Sequence, residues 1–375
     1  MLPVLLFSLL VIFLNYTYLV LSFLKGWNHL TGHTKNGSSN TYISIIIPFR
    51  NEENNLGSLL NRLKNQTYPR DLFEILFVND HSSDKSAYII DQNLGKTQAS
   101  RLILLEEGET GKKDAIRKGI LNSNGELLVT LDADCLPGLD WLATIENYYH
   151  QHKPDMIIAP VLMQPGDAFL TRLFSLEFTS LLASTAGAAG NNKPIMCNGA
   201  NLAIKKSAIN ELSSVYHHPS ASGDDIFLLE AMKSEGKSIH FCKSTEACVY
   251  TDAPNTLAEF ITHRIRWASK SKRYKDFRLK YVAISIFLIN IGLLGLLIAT
   301  LINHEFIYCY LGILALKSIV DLTLLTPVVK HFSVHSVFKA RYVILVELLY
   351  PFYSLLVAAL SQVLGYKWKD RKYYD

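Results

Sequence analysis

The chain has 375 residues, of which 49% are hydrophobic and 19% charged, and its net charge is only +4. That leaves room for one large α/β domain joined to apolar spans, and the charged fraction excludes a chain that is buried in a bilayer throughout. Its five cysteines are scattered with no CxxC pair, which excludes a zinc-finger pattern and a disulfide framework and suits a reducing compartment.

Residues Leu2 to Leu24 are almost wholly apolar and long enough to cross a bilayer. A basic leader and a small-residue cleavage site are both lacking, so residues 1–25 are expected to stay as an anchor. Lys25 and a polar linker through Asn40 follow. Within the linker, Asn36-Gly37-Ser38 fits the glycosylation acceptor pattern, which carries no meaning on a cytosolic face. From Tyr42 the pattern turns to alternating α/β. Ile43 to Ile47 reads as a strand ended by Pro48, and Leu56, Leu59, Leu60 and Leu63 recur at helical spacing. Phe73 to Val78, Leu102 to Leu105 and Leu127 to Leu131 read as three more strands, separated by helical stretches. A mostly parallel sheet is expected, with ligands bound beyond the carboxyl ends of its strands.

Ala168 to Ala189 is apolar but carries Arg172 and Glu177, so it reads as an interfacial helix, with a buried domain helix as the alternative. Between Arg264 and Lys280 eight basic residues are opposed only by Asp276. A basic run directly before an apolar span marks the cytoplasmic side of a membrane, and it demotes the rival reading of nucleic-acid binding. Three apolar stretches follow, Tyr281 to Ile302, Phe306 to Val329 and Tyr342 to Leu364. The expected organisation is therefore an α/β domain over 41–280, a membrane region over 281–366 and a basic tail over 367–375. Lys317 and Asp321 lie one helical turn apart in the second stretch and Glu347 lies in the third. Lys317 and Asp321 either neutralise each other or line a groove for a lipid acceptor. Three C-terminal spans place the tail opposite the domain, whereas its basic residues favour the cytosol. A break at Pro351 into a re-entrant hairpin would reconcile the two.

The chemistry concentrates at the strand ends. Asp132 and Asp134, just past a strand, can both reach one hard divalent cation, Mg²⁺ or Mn²⁺, shared with substrate phosphates. Asp80 ends an earlier strand, Asp224-Asp225 comes later, and His263, Arg266 and Trp267 close the series.

In this order, Ile47-Pro48-Phe49-Arg50-Asn51-Glu52, Val78-Asn79-Asp80, Asp132-Ala133-Asp134, Gly223-Asp224-Asp225 and His263-Arg264-Ile265-Arg266-Trp267 resemble the membrane-bound family 2 glycosyltransferases of the GT-A, Rossmann-like fold. That group includes cellulose, chitin and hyaluronan synthases and ceramide glucosyltransferases, and the resemblance runs from Ser44 to Trp267. It implies a UDP-sugar donor and a divalent metal. Asp80 would contact the uridine, Pro48, Asn51 and Glu52 would form the other wall, and Lys112 would place a cation near the nucleotide. Asp134 would ligate the metal, with Asp132 beside it near the ribose and donor sugar. Asp225 would be the general base, preceded by Asp224 where the family usually has Glu. Arg266 would pair with the diphosphate and Trp267 would face the acceptor, while His263 replaces the usual first residue of (Gln/Arg)-x-x-Arg-Trp. Cys197-Asn198-Gly199-Ala200-Asn201 would lie on the acceptor side.

The implied activity is an inverting, metal-dependent transfer from a UDP-sugar to a membrane lipid, by a domain on the cytosolic face of the inner membrane. A growing glycan is the alternative acceptor, although four spans are few for a polysaccharide channel. A non-catalytic membrane scaffold and a nucleotidyltransferase, which would release pyrophosphate, are the readings from other classes.

Overall fold

The computed structural model describes residues 2–33, 40–95, 99–164, 166–211, 224–363, 366–368 and 371–373. For 2–6, 224, 272 and the last two segments it describes the backbone alone. The motif residue Gly223, the side chain of Asp224, the Asn36-Gly37-Ser38 pattern and the tail residues Lys369 and Asp370 lie outside the described residues.

In chain order the elements are α1 (Leu2–His29), β1 (Ile43–Phe49), α2 (Leu56–Lys64), β2 (Phe73–Asn79), α3 (Ser86–Asp91), β3 (Ser100–Leu104), α4 (Gly111–Leu121), β4 (Leu127–Leu131), β5 (Cys135–Pro137) and α5 (Trp141–His152). Then come β6 (Met156–Ile158), β7 (Val161–Gln164), α6 (Phe169–Gly190), β8 (Asn201–Lys205), α7 (Lys206–Asn210), α8 (Asp224–Ser234), β9 (Ile239–Phe241) and β10 (Val249–Asp252). The last are α9 (Leu257–Ala268), α10 (Phe277–Ala299), α11 (Phe306–His331), α12 (Ala340–Val363), β11 (Tyr366–Trp368) and β12 (Arg371–Tyr373). They divide into two compact units. One is helical, formed by Met1–His29, Pro165–Ile195 and Ala253–Asp375, and the other is α/β, formed by Leu30–Gln164 and Met196–Asp252.

The α/β unit is built on a seven-stranded sheet in the order β3-β2-β1-β4-β8-β6-β9. Strands β3, β2, β1 and β4 are parallel, as their separation by helices predicts, whereas β8 runs antiparallel to both β4 and β6. The sheet is therefore mixed. The expected strand end at Pro48 also shifts, because β1 continues to Phe49 and Pro48 aligns with Val78. Pairing with β4 stops at Ile46, so beyond that point one side of β1 is open and a residue without an N–H is tolerated. Strands β1, β2 and β4 are buried almost throughout and read as continuous apolar runs because helices cover both faces. Helix α2 buries the four leucines whose spacing predicts it. Helix α4 docks closely on β1 because residue 119 is glycine: a Cβ there would lie 2.4 Å from Ile46 Cγ2. A second sheet has the order β5-β10-β7.

In the helical unit, α1, α10, α11 and α12 are long and apolar enough to cross a membrane. Their exposed side chains are largely apolar, among them Phe7, Leu14, Ile284, Phe287, Leu311, Ile319, Ile344 and Phe352. Polar groups turn inward instead: Asn15 Nδ2 donates to Ser285 Oγ at 2.9 Å, and Tyr281 Oη donates to Asn15 Oδ1 at 2.5 Å. This is the pattern that lipid surroundings select. Helix α12 runs unbroken through Pro351, so the re-entrant hairpin does not form. Helix α6 is largely buried and packs on α1. The two cross at Gly26 and Gly187, where a Cβ on Gly26 would fall 1.8 Å from the Gly187 carbonyl oxygen. Such a crossing admits no side chain on either partner.

Candidate active site

The strand order places a switch point at β1 and β4, since the chain runs from β1 outward to β2 and β3 and then returns to the other side. A crevice opens beyond the carboxyl ends of strands at such a point. Four segments of the α/β unit meet there: the residues after β1, those after β2, those after β4, and the segment before β8. The last arrives because β8 is antiparallel, which pairs its first residue, Asn201, with Leu131 at the end of β4.

The first two segments are stitched together. Arg50 Nη1 donates to the carbonyls of Asp80 at 2.7 Å and His81 at 2.9 Å. Asn51 N donates to Ser82 Oγ at 3.1 Å, and Asn51 Oδ1 accepts the Ser83 N–H at 2.9 Å. Asn51 and His81 both have positive φ, 52° in each case, as sharp turns at strand ends require. Glu52 is anchored by its backbone N–H to Ser86 Oγ at 2.7 Å and accepts from Asn55 Nδ2 at 2.6 Å. Asp80 follows β2 directly, is only 2% exposed, and donates its N–H to Phe49 O at 2.9 Å. Arg50 is expected only as part of the Pro48–Glu52 wall; here it is the clasp between the two loops. Its place between Phe49 and Asn51 was the available signal.

Past β4, the Asp132 carboxylate receives Lys112 Nζ from the first turn of α4 at 2.5 Å. Asp134 is exposed, and Cys135 Sγ donates to its Oδ1 at 3.5 Å. Burial, helped by the two aspartate charges, pushes the Cys135 thiol well up from its ordinary value, so it stays a neutral neighbour. The donors offered at this turn are hard carboxylate oxygens, which fit Mg²⁺ or Mn²⁺. No group of three or more His, Cys, Asp or Glu placed to hold a metal occurs among the described residues. A metal here would complete its shell from water and substrate oxygens.

On the β8 side, Asp225 sits at the start of α8. Its Oδ2 accepts the Gly199 N–H at 3.1 Å and its Oδ1 accepts the Ile226 N–H at 2.8 Å. Gly199 O in turn accepts Thr130 Oγ1 at 2.8 Å, fastening this loop to β4. A Cβ on Gly199 would lie 3.4 Å from Asp225 Cβ and 3.5 Å from Lys112 Nζ. Lys112, Asp132, Gly199 and Asp225 therefore converge. Asn201, in the same segment, has a different task. It is fully buried, donating to Pro160 O at 2.8 Å and Ala247 O at 2.9 Å and accepting Trp141 Nε1 at 2.9 Å.

The α/β unit thus holds Pro48, Asn51, Glu52, Asp80, Lys112, Asp132, Asp134, Asp224 and Asp225, whereas His263, Arg266 and Trp267 belong to the helical unit. They lie on α9, which is capped by Thr256 Oγ1 accepting the Glu259 N–H at 3.2 Å. Arg264 is buried and pairs with Glu177 of α6. Its guanidinium lies 4.4 Å from the Trp267 ring centroid and 5.0 Å from that of Phe260. Trp267 also meets Phe178 at 6.0 Å between centroids. His263 and Arg266 reach the surface of this unit.

The family described as Glycosyl transferase family 2 matches residues 44–213. The probable glycosyltransferase YdaM of Bacillus subtilis (strain 168) is 26% identical over 231 residues, covering 60% of this chain and 54% of that protein. A dolichyl-phosphate beta-glucosyltransferase of Dictyostelium discoideum is 31% identical over 124 residues, covering 31% of this chain and 38% of that protein. The chain spans about half the length of the curated relatives it matches. Among solved structures, mannosyltransferase PcManGT from Pyrobaculum calidifontis, in complex with GDP-Man and Mn²⁺, has a TM-score of 0.65 at 16% identity, covering 97% of this chain and 99% of that chain. At that identity the likeness is one of fold, an α/β arrangement of GT-A type. Residues 44–213 thus carry the match to Glycosyl transferase family 2, within an α/β unit whose fold is of GT-A type.

Proposed function

We propose that the protein is a membrane-anchored, inverting glycosyltransferase that moves one sugar from a nucleotide sugar, a UDP-sugar, to a hydroxyl of a membrane lipid. The observation that carries this reading is the convergence of Lys112, Asp132, Gly199 and Asp225 at the switch point. Relatives named for dolichyl-phosphate substrates support a lipid-linked acceptor. The four apolar helices support a catalytic unit held at a bilayer, and the basic run from Arg264 to Lys280 beside an apolar span supports the cytosolic face, taken here as that of the inner membrane.

In this reading the loops after β1 and β2 hold the nucleoside, with Asp80 and the Pro48–Glu52 segment as its two walls. Asp134 and Asp132 would hold a divalent ion, which supplies charge neutralisation for the departing diphosphate. Lys112 adds a fixed positive charge beside Asp132. In the helical unit, the resemblance gives Arg266 the role of pairing with the diphosphate, His263 that of a hydrogen-bond donor and Trp267 that of an apolar face for the acceptor. Asp224 directly precedes the base at the start of α8. Asp225 takes the proton as the acceptor hydroxyl attacks the anomeric carbon from the face opposite the leaving group. A positioned base of this kind is worth ~10²–10⁴-fold.

The base also separates two acceptor classes. A hydroxyl must lose its proton on attack, whereas a lipid phosphate arrives already ionised and has no such need. Washed membranes with Mn²⁺ and labelled nucleotide sugars would be compared between wild type and Asp225→Asn, following label into solvent-extractable and aqueous high-mass fractions. The reading expects label in the extract that the variant loses. Extractable label that survives the substitution would reassign the acceptor to a phosphate, and label in the high-mass fraction alone would overturn the lipid acceptor.

A further inference from the structure

The helical unit holds a charged cluster that transfer chemistry does not use. Lys317, near the middle of α11, is 3% exposed and donates to Asp321 Oδ2 at 2.7 Å and to Glu347 Oε2 of α12 at 2.8 Å. Tyr16, near the middle of α1, donates its hydroxyl to Asp321 Oδ1 at 2.6 Å. The Tyr16 and Tyr350 rings flank the ammonium at 5.5 and 5.7 Å. Among the described residues, Arg264 of α9 is itself paired with Glu177 and leaves the cluster uncompensated. One lysine thus faces two carboxyls, inside helices whose length and composition suit a bilayer.

The count does not balance. With both carboxyls ionised the cluster carries one uncompensated negative charge, and an unpaired charge at that depth costs several kcal/mol. The two carboxyls also share one ammonium, Lys317 Nζ, which holds them close together, and like charges so placed disfavour the ionisation of both. Both Asp321 oxygens already accept, from Tyr16 and from Lys317. Glu347 has one oxygen engaged by Lys317. We propose that this cluster is a buried proton-binding site, in which Glu347 carries the proton and shares it with an ionised Asp321. The bound proton makes the cluster neutral and lets it pin α1 to α11 and α12.

The test is infrared spectroscopy of the full chain in lipid nanodiscs, reading the carboxylic-acid C=O stretch and its shift in D₂O. Wild type is expected to show a buried-acid band. Glu347→Gln, which keeps the shape, removes the band. Asp321→Asn removes it too, because Glu347 then ionises against Lys317 as a simple ion pair. The readout does not depend on transferase activity. Absence of the band in wild type, or its persistence in either correctly folded variant, overturns the proposal.

Discussion

Lys112 Nζ lies 2.5 Å from Asp132 Oδ1, joining the first turn of α4 to the residue just past β4. Neither side chain is fully buried, the pair being 22% and 29% exposed, so it is an accessible ion pair at the mouth of a crevice. An exposed pair of this kind contributes little to stability. Its value lies in holding a positive charge where an anionic leaving group departs, which fits the transfer reaction proposed for the unit.

Lys112→Met is therefore expected to leave folding intact and to lower kcat/KM for donor by on the order of 10²-fold, the usual cost of removing one preorganised electrostatic donor. Lys112→Arg recovers part of that loss. Steady-state kinetics beside thermal melts would check it; a Met variant with unchanged kcat/KM would make the ion pair merely structural.

How much of this was legible beforehand depends on the range of each interaction. The leucines of α2, the strands β1, β2 and β4, and the Asp80 and Asp132 strand ends follow from local periodicity, and all form where the spacing predicts except that β1 runs on to Phe49 and β2 to Asn79. The meeting of Gly199 with Asp225 could not be read that way, because it depends on β8 inserting antiparallel beside β4. The same holds in the helical unit. Lys317 and Asp321 are four residues apart and visible as a pair, whereas Glu347 and Tyr16 reach them only through packing of α12 and α1. That arrangement supports mutual neutralisation over a lipid groove, since Lys317 is enclosed by its partners. Helix α6 was ambiguous for a related reason. Its apolar length suits an interface or a core equally, and the small residues that seat it on α1 gain meaning only when Gly26 and Gly187 meet.

Gly187→Ala tests that crossing. The new Cβ would lie 2.4 Å from Phe23 O and 2.7 Å from Phe23 Cβ, so the helices must separate. Overpacking of this kind costs about 1–3 kcal/mol. A lowered midpoint in detergent unfolding is the expected result, and an unchanged midpoint would mean that α1 and α6 slide without cost.

Acid should weaken the α/β unit through a ring cluster formed by His33, Tyr148, His152 and His240. Burial first, and the His152 charge second, lower the basicity of both His33 and His240 from the ordinary histidine value. Above that value the unfolded and folded chains are equally unprotonated there and the sites are silent. As pH falls below it, the unfolded chain takes up protons that the folded one resists, and stability declines. Melts between about pH 7 and pH 5 should show this loss. His240→Gln should flatten the acid limb, and an unaltered slope would remove the cluster from the account.

The buried pair of Arg264 and Glu177 makes the sharpest stability prediction. Both side chains are nearly inaccessible, at 6% and 8%, and Tyr353 Oη adds a contact to Glu177 Oε1 at 3.4 Å. Removing one partner leaves the other charged, buried and unanswered, which costs about 3–5 kcal/mol. Arg264→Met should therefore destabilise the helical unit severely. Arg264→Met combined with Glu177→Leu removes both charges and should recover much of the loss, because the site is already walled by Phe260 and Trp267. The pair also ties α9 to α6, so transferase activity should follow stability in both variants if α9 needs only to be held in place. Recovery of folding without activity in the double variant would instead give Arg264 a direct part in presenting its neighbours Arg266 and Trp267 to substrate.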